Sequence, residues 1–240
     1  MSNFLTIVKR YFPSLLRSLP TTFEMLLISV VIALAFGLLL TMGKLSRNKI
    51  VRAVCTVYIS FMRGTPMMVQ VLLVFILIPL IAFQNGANIG SWNNIIYAII
   101  AFTLNEAAFY AEIFRSAYNS LDRGQIEAAL SLGMSRMQVF TRVILPQGAA
   151  SALPNTTNMT IELMKNTSIA SVIGIYDLLG QAQQLAKNSY GVGQIQLYIF
   201  VALMYWVIGL IILSISNFAT NRLNKGNAAY KKVSIFAVRS

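Results

Sequence analysis

A largely apolar run over residues 23–42 does most to limit what this chain can fold into. It has the length, about 20 residues, that an α-helix needs to cross the hydrocarbon core of a bilayer. Comparable runs follow over residues 54–80, 94–118, 153–175 and 195–218. Only 11% of the 240 residues are charged, whereas soluble domains carry about 25%. The sequence therefore predicts one all-α integral membrane domain over residues 1–240, with five transmembrane helices.

The basic residues of the chain gather between these runs and predict its orientation. They are Lys44, Arg47, Lys49 and Arg52 after the first run, Arg123, Arg136 and Arg142 in the loop 120–150, and Arg222, Lys225, Lys231, Lys232 and Arg239 around the tail 224–240. Because cytoplasmic loops of membrane proteins collect Lys and Arg, we expect the N-terminus outside and the C-terminus in the cytoplasm. The same rule accounts for the net charge of +12, so nucleic acid is not expected as a partner.

The first twenty residues have a different pattern. Apolar residues recur with helical period opposite Lys9, Arg10 and Arg17, and they are Phe4, Val8, Phe12, Leu15, Leu16 and Leu19. This pattern predicts an amphipathic helix over residues 1–20 that lies in the membrane interface. Residues 20–24 are expected to open the first span, and Thr21 with Glu24 has the spacing of a capping box. The alternative for Glu24 is a role in transport. The stretch lacks a continuous apolar core, so no cleavable signal peptide is expected.

The side chains present argue against an enzyme. The chain has no histidine and one cysteine, Cys55, so histidine catalysis, a histidine or cysteine metal site and an internal disulfide are excluded. No Gly-x-x-x-x-Gly-Lys-Ser/Thr phosphate loop occurs. An intramembrane hydrolase could use only Ser168 with Lys165, which is an unconvincing pair. We expect no catalytic residue, metal or cofactor on this chain.

A polar loop between the third and fourth runs contains two predicted short helices. Asp122 is expected to cap the first, and Gly133 to end it where a residue without a Cβ atom is favoured. Ser135 and Gln138 have the spacing of a capping box for the second helix, and Pro146 predicts the next break. Such an elbow between membrane spans indicates a docking surface, the alternative being an ordinary polar loop.

This loop resembles the cytoplasmic "EAA" loop of importer permeases of the ATP-binding cassette (ABC) type. That pattern is Glu-Ala-Ala, followed at fixed spacing by Gly and then Ile-x-Leu-Pro. The matching residues are Glu127, Ala128, Ala129, Gly133, Leu145 and Pro146, with Val143 in place of the Ile. The resemblance implies that the triplet and the glycine couple the chain to an ATPase subunit, whose groove holds the first helix.

The sequence Arg63-Gly64-Thr65-Pro66 lies inside the second apolar run. Its glycine and proline interrupt the helix, and an arginine at membrane depth is costly unless it is paired. Because a guanidinium suits a carboxylate, one hypothesis is that Arg63 and Thr65 hold the α-carboxylate of an amino acid. The alternatives are that Arg63 pairs with Glu106 or Glu162, or that it extends to the cytoplasmic interface.

Two acidic residues lie in the third run. Glu106 follows Asn105 near its middle and could accept an ammonium or amide group from a substrate. Glu112 lies nearer the cytoplasmic end, and we expect it to pair with Arg115.

The fourth run is too polar to face lipid on all sides. Its polar residues on one helical face are Asn155, Asn158, Glu162, Lys165 and Asn166, with Thr167 and Ser168 next in the chain. Such a face is expected to line an interior or water-filled path. Glu162 and Lys165 are spaced to pair with each other as a structural contact or to contact substrate.

These places are similar to the polar-amino-acid subfamily of ABC permeases, which includes histidine, arginine, glutamine and cystine importers. The similarity rests on Arg63-Gly64-Thr65-Pro66 with Gln70, Leu104-Asn105, residues 111–115, Leu145-Pro146-Gln147 and residues 165–174. It implies a type I ABC importer permease fold in the bacterial cytoplasmic membrane. It also implies substrate contacts at Arg63, Gly64, Thr65, Pro66, Asn105, Glu106, Asn158, Glu162, Asn166, Thr167 and Ser168.

The same resemblance implies partners and a substrate class. The partners are an ABC ATPase subunit that binds ATP and Mg, a second permease copy (a homodimer being favoured over a heterodimer) and an extracytoplasmic amino-acid-binding protein. Glu106 stands where many relatives carry a small residue, which favours cystine or a basic amino acid over glutamine. The alternatives are an ion-coupled carrier, which the lack of an internal repeat argues against, and a non-transporting scaffold, which would need no charges within its spans.

Overall fold

The computed structural model of the chain describes residues 4–87 and 89–224, and these residues are helical apart from short connections. The helices are α1 (Phe4–Lys44), α2 (Lys49–Gly64), α3 (Met67–Gln84), α4 (Asn94–Asn119), α5 (Arg123–Ser131), α6 (Arg136–Val139), a π-helical segment (Phe140–Ile144), α7 (Leu145–Asn166), a 3₁₀ segment (Thr167–Ile173), α8 (Leu178–Asn188) and α9 (Gln194–Asn224). The all-helical prediction is confirmed. Of the predicted tail 224–240, only Asn224 lies within the described residues.

Four helices in the described part of the chain are long and apolar enough to cross a membrane. They are Lys9–Lys44, Met67–Gln84, Asn94–Asn119 and Gln194–Arg222. The predicted fourth span, over α7 and the 3₁₀ segment, does not qualify because it is as polar as its sequence indicates. The predicted second span divides into α2 and α3 at Thr65 and Pro66. The five-span count and the orientation of the termini therefore stay predictions.

The chain divides into two compact units. One contains Met1–Ala111 and Met159–Gly209, and the other Glu112–Asn158 and Leu210–Ser240. In the first unit α1 packs against α2 and α8, and α3 packs against the 3₁₀ segment. In the second unit α5 packs against α6 and the π-helical segment.

Helix α1 is continuous through Pro13 and Pro20, so the predicted helix boundary and capping box at Thr21 are wrong. Packing explains the difference, since one face of the first part of α1, with Ile7, Leu15 and Ser18, is buried. Leu15 is fully buried in a cluster with residues of α8 and α9: Leu178, Ala182, Ala186, Leu197 and Val201. The Thr22 hydroxyl donates to the Ser18 carbonyl at 3.4 Å and accepts from the backbone N–H of Leu178 at 3.1 Å.

The interfacial position of residues 1–20 stays a prediction, although Leu15 faces protein rather than lipid. The side chains of Phe4 and Val8, which belong to the predicted apolar face, lie outside the described residues.

Helices α1 and α4 meet at two small residues of α1. Ala33 is fully buried, and a Cβ atom added to Gly37 would lie 2.9 Å from Tyr110 Cβ and 3.1 Å from the Ala107 carbonyl oxygen. The Thr41 hydroxyl lies 3.0 Å from the Ala111 carbonyl oxygen, across the same contact. Close approach of helix backbones at small residues is a recurrent packing mode of membrane helices.

Helix α8 follows the 3₁₀ segment. Asp177 caps it, and its carboxylate accepts from the Gly180 N–H at 2.8 Å and from the Tyr205 hydroxyl of α9 at 2.9 Å. The carboxyl group is fully buried, and this burial raises the pKa of Asp177. These bonds fasten α8 to α9 within the first unit.

Pro146 does not break the helix as the sequence predicted. Residues 136–166 remain helical, and the π-helical segment precedes the proline. Within that segment the N–H of Leu145 donates to the carbonyl of Phe140, five residues earlier. A π-helical turn changes the register of backbone bonding by one residue, and Pro146, which has no N–H to donate, follows it directly.

Candidate functional site

The α5–α6 elbow forms as its sequence predicts. The Asp122 carboxylate accepts from the Gly124 N–H at 2.8 Å and caps α5. Gly133 ends the turn at a φ of +80°, a left-handed conformation that L-residues rarely adopt. Ser135 and Gln138 exchange side-chain and backbone bonds at 2.8 and 3.3 Å, so the predicted capping box is confirmed.

The elbow exposes three of the four residues that the resemblance assigns to coupling. Glu127, Ala128 and Gly133 are exposed, whereas Ala129 is buried. Two large apolar side chains beside them are also exposed, Leu132 at 84% and Met137 at 70%. Gln147 donates its side-chain amide to Gln125 at 2.7 Å and links α7 to α5. The helix caps and this side-chain bond therefore fix the conformation of the elbow. Its exposed surface includes Glu127 and several apolar groups.

The break between α2 and α3 is bridged by two side-chain amides. Pro66 has no N–H to donate to the Met62 carbonyl one turn earlier. Gln70 Nε2 and Asn105 Nδ2 donate to that carbonyl instead, at 2.9 and 3.1 Å. Asn105 also donates to Gln70 Oε1 at 2.9 Å, and both side chains are buried. We call Gln70, Asn105 and the Met62 carbonyl the amide clamp.

The two residues proposed to hold a carboxylate differ in their surroundings. Arg63 is exposed, and its guanidinium lies 5.4 Å from the centre of the Phe109 ring. The Thr65 hydroxyl donates to the Phe61 carbonyl at 2.9 Å and accepts from the Gln70 amide at 2.6 Å. Because the hydroxyl proton of Thr65 is already used in the bond to Phe61, this hydroxyl has no proton left to donate to a substrate anion. A Cβ atom added to Gly64 would meet no other atom within 4 Å, so there is open space beside this glycine.

The side chains of Asn105 and Glu106 differ in whether all their polar atoms have hydrogen-bond partners. The Asn105 side chain belongs to the amide clamp, where it bonds to the Met62 carbonyl and to Gln70. Glu106 is only 1% exposed, yet its Oε2 atom has no hydrogen-bond partner there. Farther along α4, the predicted pair is confirmed, since Arg115 Nε lies 2.6 Å from Glu112 Oε2.

The residues of the polar face of α7 are divided between the two units. In the second unit Asn155 and Asn158 are exposed, and the buried Thr157 hydroxyl bonds with Ser216 of α9. In the first unit Glu162 and Lys165 are exposed and form no ion pair among the described contacts.

The residues after Glu162 and Lys165 form the end of α7. Asn166 is half-buried. The Thr167 and Ser168 hydroxyls donate to the carbonyls of Met164 and Lys165 at 2.8 and 2.7 Å. These two hydroxyls thus stabilise the passage from α7 into the 3₁₀ segment.

Comparison with known proteins identifies the chain. The family model described as "Binding-protein-dependent transport system inner membrane component" matches residues 33–225. The L-cystine transport system permease protein TcyL of Bacillus subtilis is 34% identical over 92% of this chain and 92% of its own length. The chain belongs to this family.

Two further relatives agree. The probable amino-acid ABC transporter permease protein PatM of Vibrio harveyi is 36% identical over 89% of this chain and 93% of that protein. A solved structure described as an amino acid ABC transporter with histidines has a TM-score of 0.79 at 33% identity, covering 92% of this chain and 99% of the solved one. This chain is therefore a permease subunit of the amino-acid ABC type, and it has the type I fold. It is not an enzyme, because ATP hydrolysis lies on a partner subunit.

Two features of the site and one contact elsewhere in the first unit were not identified from the sequence. Gln70 was noted only as part of a resemblance, and its role in bridging the break became clear from its bonds. Thr103, one turn before Glu106, is a single threonine in an apolar run, and no sequence pattern around it indicates a functional role. The bond from Tyr205 to Asp177 joins residues far apart in the chain, which no local pattern can predict.

Proposed function

We propose that this permease forms the transmembrane path of an ATP-driven importer of polar amino acids in the bacterial cytoplasmic membrane. The α5–α6 elbow is the observation that carries the proposal. Its exposed Glu127, Ala128 and Gly133, held by two helix caps, form a surface suited to the groove of an ATPase subunit. In this proposal ATP and Mg bind to that subunit and not to the permease.

The rest of the assembly follows from the family. A second permease copy, identical in the simplest case, completes the path, and an extracytoplasmic binding protein delivers the amino acid. Five spans, with the N-terminus outside and the C-terminus inside, agree with the distribution of Lys and Arg. Ligand and nucleotide must then bind the outward-open and inward-open states with different affinity to drive the exchange between them.

The proposed substrate site joins the residues around the α2–α3 break to the polar faces of α4 and α7. Arg63, beside the open space at Gly64, is proposed to hold the substrate carboxylate. The other proposed contacts are Thr65, Pro66, Asn105, Glu106, Asn158, Glu162, Asn166, Thr167 and Ser168. Among polar amino acids, cystine or a basic amino acid is favoured over glutamine because of the two acids, Glu106 and Glu162.

Uptake into vesicles that contain the permease, its ATPase and its binding protein tests the proposal. A panel of labelled amino acids is compared with and without ATP, for the wild type and for Arg63→Ala. We expect ATP-dependent uptake of one or a few polar amino acids, reduced about tenfold or more in the variant, because a charge-assisted bond contributes about 1.5–3 kcal/mol.

The outcomes of this assay separate the class from the site. Uptake that survives Arg63→Ala would move the carboxylate contact elsewhere and leave the class standing. Uptake driven by an ion gradient without the ATPase, or no ATP-dependent uptake by the assembled complex, would contradict the proposed function.

A further inference from the structure

Two buried polar atoms on α4 have no hydrogen-bond partner among the described residues. They are Thr103 Oγ1 and Glu106 Oε2, in side chains that are 7% and 1% exposed. Residues three apart lie one above the other on the same face of a helix, so the hydroxyl and the carboxyl are neighbours. Most buried polar groups in folded proteins are hydrogen-bonded, and an unsatisfied pair on one face needs an explanation.

The Thr103 hydroxyl departs from the behaviour of other threonines in this chain. Thr41, Thr56 and Thr65 each donate to the carbonyl four residues earlier, at 2.8, 2.8 and 2.9 Å. Such a bond satisfies a helical threonine without any outside group. Thr103 makes no such bond, so its hydroxyl is left to a partner outside the described residues.

The carboxyl group of Glu106 lies within the third predicted span. The Tyr110 hydroxyl, one turn farther along α4, lies 3.1 Å from Thr160 Oγ1 and places α7 beside this face. By contrast, Glu112 has Arg115 at 2.6 Å. A carboxylate within a membrane span is costly unless a cation compensates it, and Glu106 Oε2 has no hydrogen-bond partner among the described residues.

We infer that Thr103 and Glu106 form a subsite for a cationic group of the substrate other than its α-ammonium. The carboxylate of Glu106 supplies the opposite charge, and the Thr103 hydroxyl accepts an N–H from the same group. The subsite selects amino acids that carry a second positive group, such as a guanidinium or a second ammonium. This inference rests on the proposed function and adds the residues that set selectivity.

The selectivity of the permease itself is measured on the purified permease–ATPase complex in lipid nanodiscs, without the binding protein. Equilibrium dialysis with labelled arginine and labelled glutamine gives the two dissociation constants. We expect tighter binding of arginine in the wild type. Glu106→Gln should weaken arginine binding about tenfold or more and glutamine binding little, because a hydrogen bond to a charged group contributes about 1.5–3 kcal/mol.

Matched variants distinguish this subsite from a structural effect. Thr103→Val should weaken arginine binding several-fold, and Glu106→Asp should restore part of the loss caused by Glu106→Gln. Glu24→Gln removes an exposed carboxyl of α1 and should change neither constant. Intact assembly of each variant is checked by size-exclusion chromatography and by its ATPase rate.

Several results would overturn the inference. They are an arginine-to-glutamine ratio that both Glu106→Gln and Thr103→Val leave unchanged, an equal loss for both amino acids, and no arginine retention by the wild type. If Glu106→Gln fails to assemble, Thr103→Val decides. Because the uptake assay tests the proposed function independently, ATP-dependent uptake with an unchanged ratio would reject the subsite alone.

Discussion

Pro66 removes a backbone donor from a helix, and the side-chain amides of Gln70 and Asn105 replace it. The Met62 carbonyl, which the proline leaves without its usual partner, receives two amide donors from Gln70 and Asn105. Gln70 of α3 is the central member, since its Nε2 atom donates to Met62 and Thr65 across the break and its Oε1 atom accepts from Asn105 of α4. The amide clamp thus keeps Arg63 and Gly64 at a fixed break instead of letting the chain bend freely.

At this residue scale we predict that Gln70→Met destabilises the permease. Methionine has a similar volume and no amide, so the packing is retained while the bonds to Met62, Thr65 and Asn105 are lost. Each buried group left unsatisfied costs about 1–3 kcal/mol. We expect a lower thermal midpoint of the purified permease–ATPase complex, measured by scanning fluorimetry in detergent.

The control for Gln70→Met is another glutamine with an exposed side chain. Gln194→Met removes an amide whose bond to the Tyr198 hydroxyl is exposed and 3.3 Å long, so it should leave the midpoint nearly unchanged. Equal midpoints for the wild type and Gln70→Met would show that the amide clamp does not stabilise the break.

At the scale of helices, local signals predicted those boundaries that depend on a cap or a turn. The caps at Asp122 and Ser135 bond to backbone groups within a few residues, and Gly133 supplies a local backbone conformation. The local sequence is therefore enough to predict these helix boundaries. Pro20 and Pro146 are different, because both lie inside continuous helix. Burial of Leu15 against α8 and a π-helical turn before Pro146 outweigh the local preference for a break.

In the candidate site, too, some features could be predicted from the local sequence and others could not. The acids and amides of α4 and α7 could be recognised from their types and helical spacing. The amide clamp and the unsatisfied Thr103 hydroxyl could not, since they depend on which side chains meet after folding. Sequence reasoning thus finds residues with functional chemistry, whereas contacts decide which of them support the backbone.

A packing prediction belongs to this scale. Gly37→Ala should separate α1 from α4, because the new Cβ atom would lie 2.9 Å from Tyr110 Cβ and 3.1 Å from a backbone oxygen. Backbone cannot move aside as a flexible side-chain end can, and overpacking of this kind costs about 1–3 kcal/mol. We expect a lower thermal midpoint in the same fluorimetric assay.

Gly148→Ala is the matched control for the packing prediction. Gly148 lies in α7 with no atom within 4 Å of the added Cβ. Replacing a helical glycine with alanine there should be neutral or stabilising by about 0.5–1 kcal/mol. If the two variants gave the same midpoint, the close contact at Gly37 would not contribute to stability.

At the scale of the whole molecule, hydropathy and charge predict different numbers of membrane crossings. Apolar length marks four candidate spans in the described residues, whereas the distribution of Lys and Arg requires an odd number of crossings between an outside N-terminus and an inside C-terminus. Helix α7 resolves the difference if it crosses despite its polar face, because a span that lines a path need not be apolar all round. The topology proposal therefore depends on α7.

The topology is testable because the sequence has a single cysteine, Cys55. In a Cys55→Ser background, Tyr190→Cys and Leu132→Cys place one thiol in each of two exposed segments, where the native side chains are 97% and 84% exposed. The charge rule places residue 190 outside and residue 132 in the cytoplasm. We expect a membrane-impermeant maleimide to label Tyr190→Cys in intact cells and Leu132→Cys only after permeabilisation. Labelling of both from the same side would mean that α7 does not cross the membrane, and the reverse pattern would mean that the chain is inserted in the opposite orientation.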